Sequence, residues 1–243
     1  MKLSLSGVFA DAGAMWRSER KLIAPVAGVF FTLPMLGIVL LLDGIQIAPD
    51  ATPEQLRAAL TGFYDAHIVP LLLISLLLDF GSFALLNLFL QGGGRTLGQV
   101  LALTLQRFFL FEVIAIAARV LLTIGASLFL LPGLFAYARI WLAAPGFAAQ
   151  PEAGLTGAAR EGWMLSRGFV WITLLGIMAV VFVAGMFALF VLATLFGTIA
   201  AAIGDAMFVP MLGYVVCALF GSLIWTALAL LRVAAYRLAK QGI

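Results

Sequence analysis

Residues 130–147 read LLPGLFAYARIWLAAPGF. Pro132-Gly133 stands near one end and Pro145-Gly146 near the other. Between them the only polar side chains are Tyr137 and Arg139. An apolar run from Phe108 leads into this stretch. Either the two form one kinked helix, or the chain turns at Pro132-Gly133 and runs back. The choice fixes the side of a membrane on which everything downstream lies.

That a membrane is involved follows from composition. Of 243 residues, 64% are hydrophobic and 10% charged, with a mean hydropathy of +1.16. Soluble domains carry about 45–50% apolar and about 25% charged residues, so this chain lacks the polar side chains to cover a soluble surface. At about 20 apolar residues per crossing, the sequence predicts an all-α polytopic protein with six transmembrane helices. They are Leu22–Leu42, kinked at Pro25 and Pro34, then His67–Leu90, Phe108–Leu131 and a short Leu134–Ala149. A fifth starts at Gly168 and ends between Leu189 and Ala202, and the sixth is Met207–Leu231.

Lysine and arginine set the orientation. With the N-terminus inside, the inner side carries Lys2, Arg17, Arg20, Lys21, Arg95, Arg107, Arg160, Arg167, Arg232, Arg237 and Lys240. The outer side has only Arg57, and Arg119 and Arg139 fall within the membrane. Merging the third and fourth crossings would move Arg160 and Arg167 outside and break this asymmetry. Pro132-Gly133 is therefore expected to be the tight outer turn of a hairpin. The N-terminal stretch MKLSLSGVFADAGAMWRSERK lacks a small-residue cleavage site and reads as a cytoplasmic segment ahead of an anchor.

Three inner stretches resemble one another: SGVFADAGAMWRSERK, RTLGQVLALTLQRFF and EAGLTGAAREGWMLSRGF. Each has small and apolar residues at helical spacing, with basic residues toward the membrane end. In the third, Leu155, Ala158, Ala159, Gly162, Leu165 and Phe169 share a face, and Arg160 and Arg167 lie off it. The plan is one integral membrane domain, residues 1–243, with candidate repeat units 1–91, 92–150 and 151–243. Each unit would be an amphipathic interfacial helix and two crossings. Thr96 and Gln99 form a capping box after the breaker Gly92-Gly93-Gly94. Thr52-Pro53-Glu54-Gln55 starts a short outer helix in the same way.

Ionisable groups at membrane depth are costly and usually find partners. Asp79 and Arg119 each lie twelve residues from the outer end of a crossing, roughly 18 Å deep, and are expected to pair. Glu112 lies near the inner interface, with Arg107 as a candidate partner. Arg139 has no matched acid. Three roles are open to it: to snorkel outward beside Tyr137 and Trp141, to cap carbonyls freed by a proline, or to bind a lipid phosphate. Ala24, Gly28 and Thr32, and Gly213, Cys217 and Gly221, repeat every four residues and suit close helix packing within or between chains.

Leu131-Pro132-Gly133, Arg139, Pro145 and Arg167-Gly168-Phe169 together resemble the membrane domain associated with glycerophosphoryl diester phosphodiesterases and related bacterial inner-membrane proteins. The resemblance covers about forty residues, 131–168. It departs where the family often has Glu before the amphipathic helix (here Gln150 and Glu152 are nearest) and Ser in its middle (here Gly162). The hydrolase of fused relatives is a separate soluble domain with no counterpart in this chain. The resemblance implies a membrane module in a bacterial inner membrane, with both termini cytoplasmic, and not a diesterase.

The residues point away from catalysis. His67 is the single histidine and Cys217 the single cysteine, too few for a metal site or a disulfide. No Ser-His-Asp set or phosphate-cradling loop with a lysine is present. No cofactor and no nucleic acid partner is expected. The reading is a non-catalytic inner-membrane protein that organises or binds phospholipid, a membrane-protein partner or a second copy of itself. The alternative is a small secondary transporter or channel using Asp79 and Arg119.

Overall fold

The computed structural model describes residues 3–45, 50–91, 94–128, 130–204 and 207–242. Over these residues the chain is helical, with no strand. α1 (Leu5–Ala27) starts at an N-cap, Ser4, whose hydroxyl accepts from the Gly7 amide at 3.3 Å. It contains the first amphipathic stretch and kinks at Glu19 (φ −119°, ψ 19°) before entering the apolar run. A π-helical turn, Gly28–Thr32, joins it to α2 (Leu33–Asp43). The cause lies in the two prolines. Pro25 and Pro34 lack amide protons and crowd the carbonyls one turn back, so the hydrogen-bond register slips instead of breaking. The Ala27 carbonyl is taken by Thr32 Oγ1 and Ser222 Oγ, both at 3.3 Å. Satisfying a loosened carbonyl from a neighbouring helix is what a membrane interior requires.

α3 (Pro53–Leu90) begins with both halves of the capping box: Gln55 Oε1 accepts from the Thr52 amide and Thr52 Oγ1 accepts from the Gln55 amide. The short helix started by Thr52 and the expected second crossing are one element, kinked at His67 (φ −119°, ψ 19°) three residues before Pro70. α4 (Leu97–Leu128) opens with the Thr96–Gln99 box and runs unbroken through the second amphipathic stretch and the third crossing. Gly92 and Gly93 lie outside the described residues; Gly94 has φ +90°, a conformation that suits glycine.

The hairpin turn falls earlier than Pro132-Gly133. α5 (Leu130–Ile140) already contains both residues, with Pro132 in its first turn, where an amide proton has no partner to lose. α4 ends at Leu128 and α5 starts at Leu130, and residue 129 is outside the described residues. α5 packs back on α4 so closely that a Cβ on Gly125 would collide with the Gly133 backbone. The predicted fourth crossing is divided in two: after a turn at Trp141-Leu142 the chain continues as α6 (Ala143–Ala149). The break sits where the Pro145 ring crowds the Trp141 carbonyl. Together α5 and α6 bring the chain back to the end of α3, where Gln91 Nε2 donates to the Ala148 carbonyl.

A 3₁₀ turn, Pro151–Ala153, leads into α7 (Gly154–Leu165). α7 packs on α6 through small residues, and a Cβ on Gly162 would lie 2.5 Å from the Ala143 amide nitrogen. α8 (Val170–Ile203) runs on to a left-handed Gly204, and α9 (Phe208–Gln241) returns beside it. Gly213 seats Phe196 of α8, and Gly221 seats Met35 of α2. The first-crossing stripe behaves differently: Ala24 and Gly28 are exposed. α1 and α2 lie antiparallel to α9, with Gly7 beside Leu238 and Asp43 bonded to the Tyr214 hydroxyl.

Among the described residues, five helical segments are long and apolar enough to cross a membrane: Leu5–Asp43, Pro53–Leu90, Leu97–Gly125, Val170–Ile203 and Phe208–Gln241. Thirty-four residues of helix extend about 51 Å, well beyond the about 30 Å of a hydrocarbon core. Large apolar side chains cover the outside of these helices, among them Phe109, Phe182, Phe187 and Phe190, the surface expected toward lipid.

Helix contact at Gly81 gives a direct test of this packing. Its Cβ position lies 2.6 Å from Phe30 and 2.7 Å from Phe31, which is buried. Gly81→Leu is expected to force α3 off the π turn and lower stability by about 2 kcal/mol, read as the unfolding midpoint in mild detergent. Gly62→Leu, with open space at its Cβ, is the control and should change little.

Candidate functional site: buried arginines and an exposed basic face

Arg139 is 8% exposed. Its Nη1 donates to the Ser166 carbonyl at 2.7 Å, and its guanidinium lies 4.4 Å from the Trp163 ring centroid and 5.7 Å from that of Phe135. Ser166 is the C-cap of α7, so Arg139 places a cation on the negative end of that helix. The Ser166 hydroxyl in turn lies 3.0 Å from the Arg139 carbonyl and 2.8 Å from that of Gly162, either of which takes its proton. The Nη1 bond caps a carbonyl at a helix end and not one freed by a proline kink, while Arg139 Nε is buried without a hydrogen-bond partner.

Three other helix ends are treated the same way. Arg232 Nε donates at 2.7 Å to the Trp141 carbonyl, the one displaced by Pro145, and its guanidinium stacks over the Trp141 ring. Arg237 Nη2 donates at 2.6 Å to the Phe89 carbonyl in the last turn of α3. Gln91 serves the last turn of α6 through Ala148. The ends of α3, α5, α6 and α7 thus each have a carbonyl held by a long polar side chain of another segment. This is how a dry bundle accommodates broken helices.

Arg139, Tyr137 and Trp141, grouped in the sequence reading, are not one site. Residues two apart on a helix do not share a face. Trp141 belongs to Arg232, and Tyr137 is partly buried against the apolar core. Ser166, Phe135, Trp163 and Arg232 were not singled out from sequence. A signal existed for Arg232: a proline inside a helical pattern announces a freed carbonyl four residues back.

Asp79 and Arg119 do come together, with Arg119 Nη2 bonded to Asp79 Oδ2. Glu112 joins them through Oε1, 3.3 Å from Arg119 Nη1, and not through Arg107. Seven residues are almost two full turns, so Glu112 and Arg119 share a face. Five residues put Arg107 on another one. Arg107 is half-buried, and its Nη1 has no hydrogen-bond partner. Asn87 donates to Thr104 Oγ1 at 3.1 Å and is separated from Asp79 along α3 by Phe83, which stacks on Phe111 at 4.3 Å.

α7 has two distinct faces. Ala158, Gly162 and Leu165 are buried. Arg160, Trp163 and Met164 share another face of α7, Arg167 follows in the turn just past the Ser166 cap, and all four are exposed, as is Phe169 at 80%. The sequence pattern puts Phe169 on the face of Ala158, Gly162 and Leu165, but α7 ends at its Ser166 cap and Gly168 has φ +62°, so Phe169 leaves that register. At the same end, Glu161 accepts from Tyr236 (3.0 Å) and Lys240 (3.2 Å) and ties α7 to α9. Among the described residues, no three His, Cys, Asp or Glu side chains group as a metal site would require. Comparison of the chain with family models, with curated proteins and with solved structures finds no match.

Proposed function

We propose that this chain is a non-catalytic membrane protein that binds anionic phospholipid along the inner leaflet of a bacterial inner membrane. The observation that carries the reading is the exposed face of α7, with Arg160, Trp163 and Met164 together and Arg167 and Phe169 just beyond them. Aromatic and thioether side chains at the headgroup boundary, flanked by arginines for phosphates, make an interfacial lipid contact. Arg139, committed to Ser166, is the floor of this face and not its ligand. The orientation places both termini in the cytoplasm and treats α5–α6 as a sixth, divided crossing. The resemblance to the phosphodiesterase-associated membrane domain is compatible with such a module.

A second reading, a helix of a partner chain or of a second copy, rests on the uncovered Ala24–Gly28 face of α1. Transport has less support, because the Phe83–Phe111 stack stands between Asp79 and Asn87.

Thermal unfolding in nanodiscs tests the lipid reading. Exchanging neutral phosphatidylcholine for phosphatidylglycerol is expected to raise the midpoint of the wild type and to leave Arg160→Gln/Arg167→Gln nearly unchanged. Binding at a hundredfold excess over Kd is worth about 2.7 kcal/mol, a readable shift. Equal stabilisation of both proteins would remove α7 as the lipid-binding face.

A further inference from the structure

The membrane-embedded cluster of Asp79, Glu112 and Arg119 has two carboxyls and one guanidinium. Arg119 spends one nitrogen on each acid: Nη2 on Asp79 Oδ2 and Nη1 on Glu112 Oε1. Glu112 is 8% exposed, and its second oxygen, Oε2, is buried without a hydrogen-bond partner. Phe111 beside it is buried and stacked on Phe83. Fully ionised, the cluster would carry one uncompensated negative charge among aromatic and aliphatic side chains, and burying an unpaired carboxylate is among the costliest arrangements available.

Among the described residues, no second cation is paired with the cluster. On α4 itself Arg107 is off the face of Glu112. From α5 come Tyr137 and Arg139, and Arg139 is held at Ser166. α6 has no titratable side chain. On α7, Glu161 is held by Tyr236 and Lys240, and Arg160 is exposed. A metal cation is a poor substitute, since it needs several oxygen ligands and the cluster offers two carboxylates that both already bind Arg119. One proton suffices.

We propose that Asp79, Glu112 and Arg119 form a proton-binding site that holds one proton at neutral pH, carried on Glu112. This is independent of the lipid reading. With the proton bound, the cluster is neutral and the α3–α4 seam contains a balanced ion pair beside a neutral acid. Because Arg119 bridges both acids, removing either one leaves a complete pair and abolishes the need for the proton.

Infrared spectroscopy of the full-length protein in detergent at neutral pH reads this directly. The wild type should show a protonated-carboxyl C=O band that shifts in D₂O and on labelling with ¹³C-glutamate. Both Glu112→Gln and Asp79→Asn should lose the band, the latter because Glu112 then ionises against Arg119. Arg119→Gln should increase it about twofold, since both acids must then be neutral. A wild type without the band, a band unmoved by labelled glutamate, or one that survives in Glu112→Gln would overturn the assignment. The labelling arm needs no variant, so a misfolded mutant does not block the test.

Discussion

Arg139→Gln is expected to destabilise the protein by about 3 kcal/mol. The change removes a charge-assisted hydrogen bond to the Ser166 carbonyl, worth about 1.5–3 kcal/mol, and a stacking contact with Trp163 worth about 0.5–2 kcal/mol. It also leaves the end of α7 without its cation. The effect should concentrate where α5, α7 and α8 meet. Arg139→Lys should recover little of the loss, because a point charge cannot both reach the carbonyl and lie flat on the indole. Trp163→Leu should cost less, as it spares the hydrogen bond. Chemical or thermal unfolding in mild detergent measures all three. If Arg139→Gln left stability unchanged, its geometry would not be structural and the buried guanidinium would need a ligand.

Arg119→Gln is expected to cost a similar amount by a different route. Asp79 and Glu112 are largely buried, and leaving a buried carboxylate without its partner costs about 3–5 kcal/mol. The lower end applies here because the Arg119 side chain is 45% exposed at the side of the bundle. Two carboxyls would remain with no cation. Asp79→Asn should cost less, because Glu112 is already in reach of Arg119. The double variant Asp79→Asn/Arg119→Gln should be more stable than the sum of the single losses predicts, with a coupling of about 1 kcal/mol or more. Strict additivity would mean that the Asp79–Arg119 contact contributes nothing.

The parts of the fold legible from sequence are those written in local chemistry. Thr52 and Thr96 announce helix starts through a glutamine three residues on, and both boxes form. The buried Ala158–Gly162–Leu165 face of α7 follows from helical periodicity. Asp79 and Arg119 could be aligned because equal depth in antiparallel helices is simple arithmetic. Where the reading slipped, the partner had no sequence signature. Arg139 is bonded to a backbone carbonyl 27 residues downstream, and every residue has one. Pro132 suits a turn or a helix start equally well in sequence, because proline both ends helices and starts them, and only packing on α4 distinguishes the two. Trp141 was grouped with Arg139 by proximity along the chain, although helical geometry turns it toward Arg232. The surface helices before the first and third crossings fuse with them because no proline or glycine interrupts residues 99–124, and Glu19 only bends α1.

Arg139 holds a helix end, whereas Arg160 and Arg167 are proposed to hold lipid. Native mass spectrometry of the wild type, Arg139→Gln and Arg160→Gln/Arg167→Gln, each purified in mild detergent and given phosphatidylglycerol, separates the jobs in one experiment. The wild type and folded Arg139→Gln should retain the lipid alike, while Arg160→Gln/Arg167→Gln should lose it. Lipid lost from Arg139→Gln and kept by the double variant would contradict it and make the buried guanidinium the headgroup site.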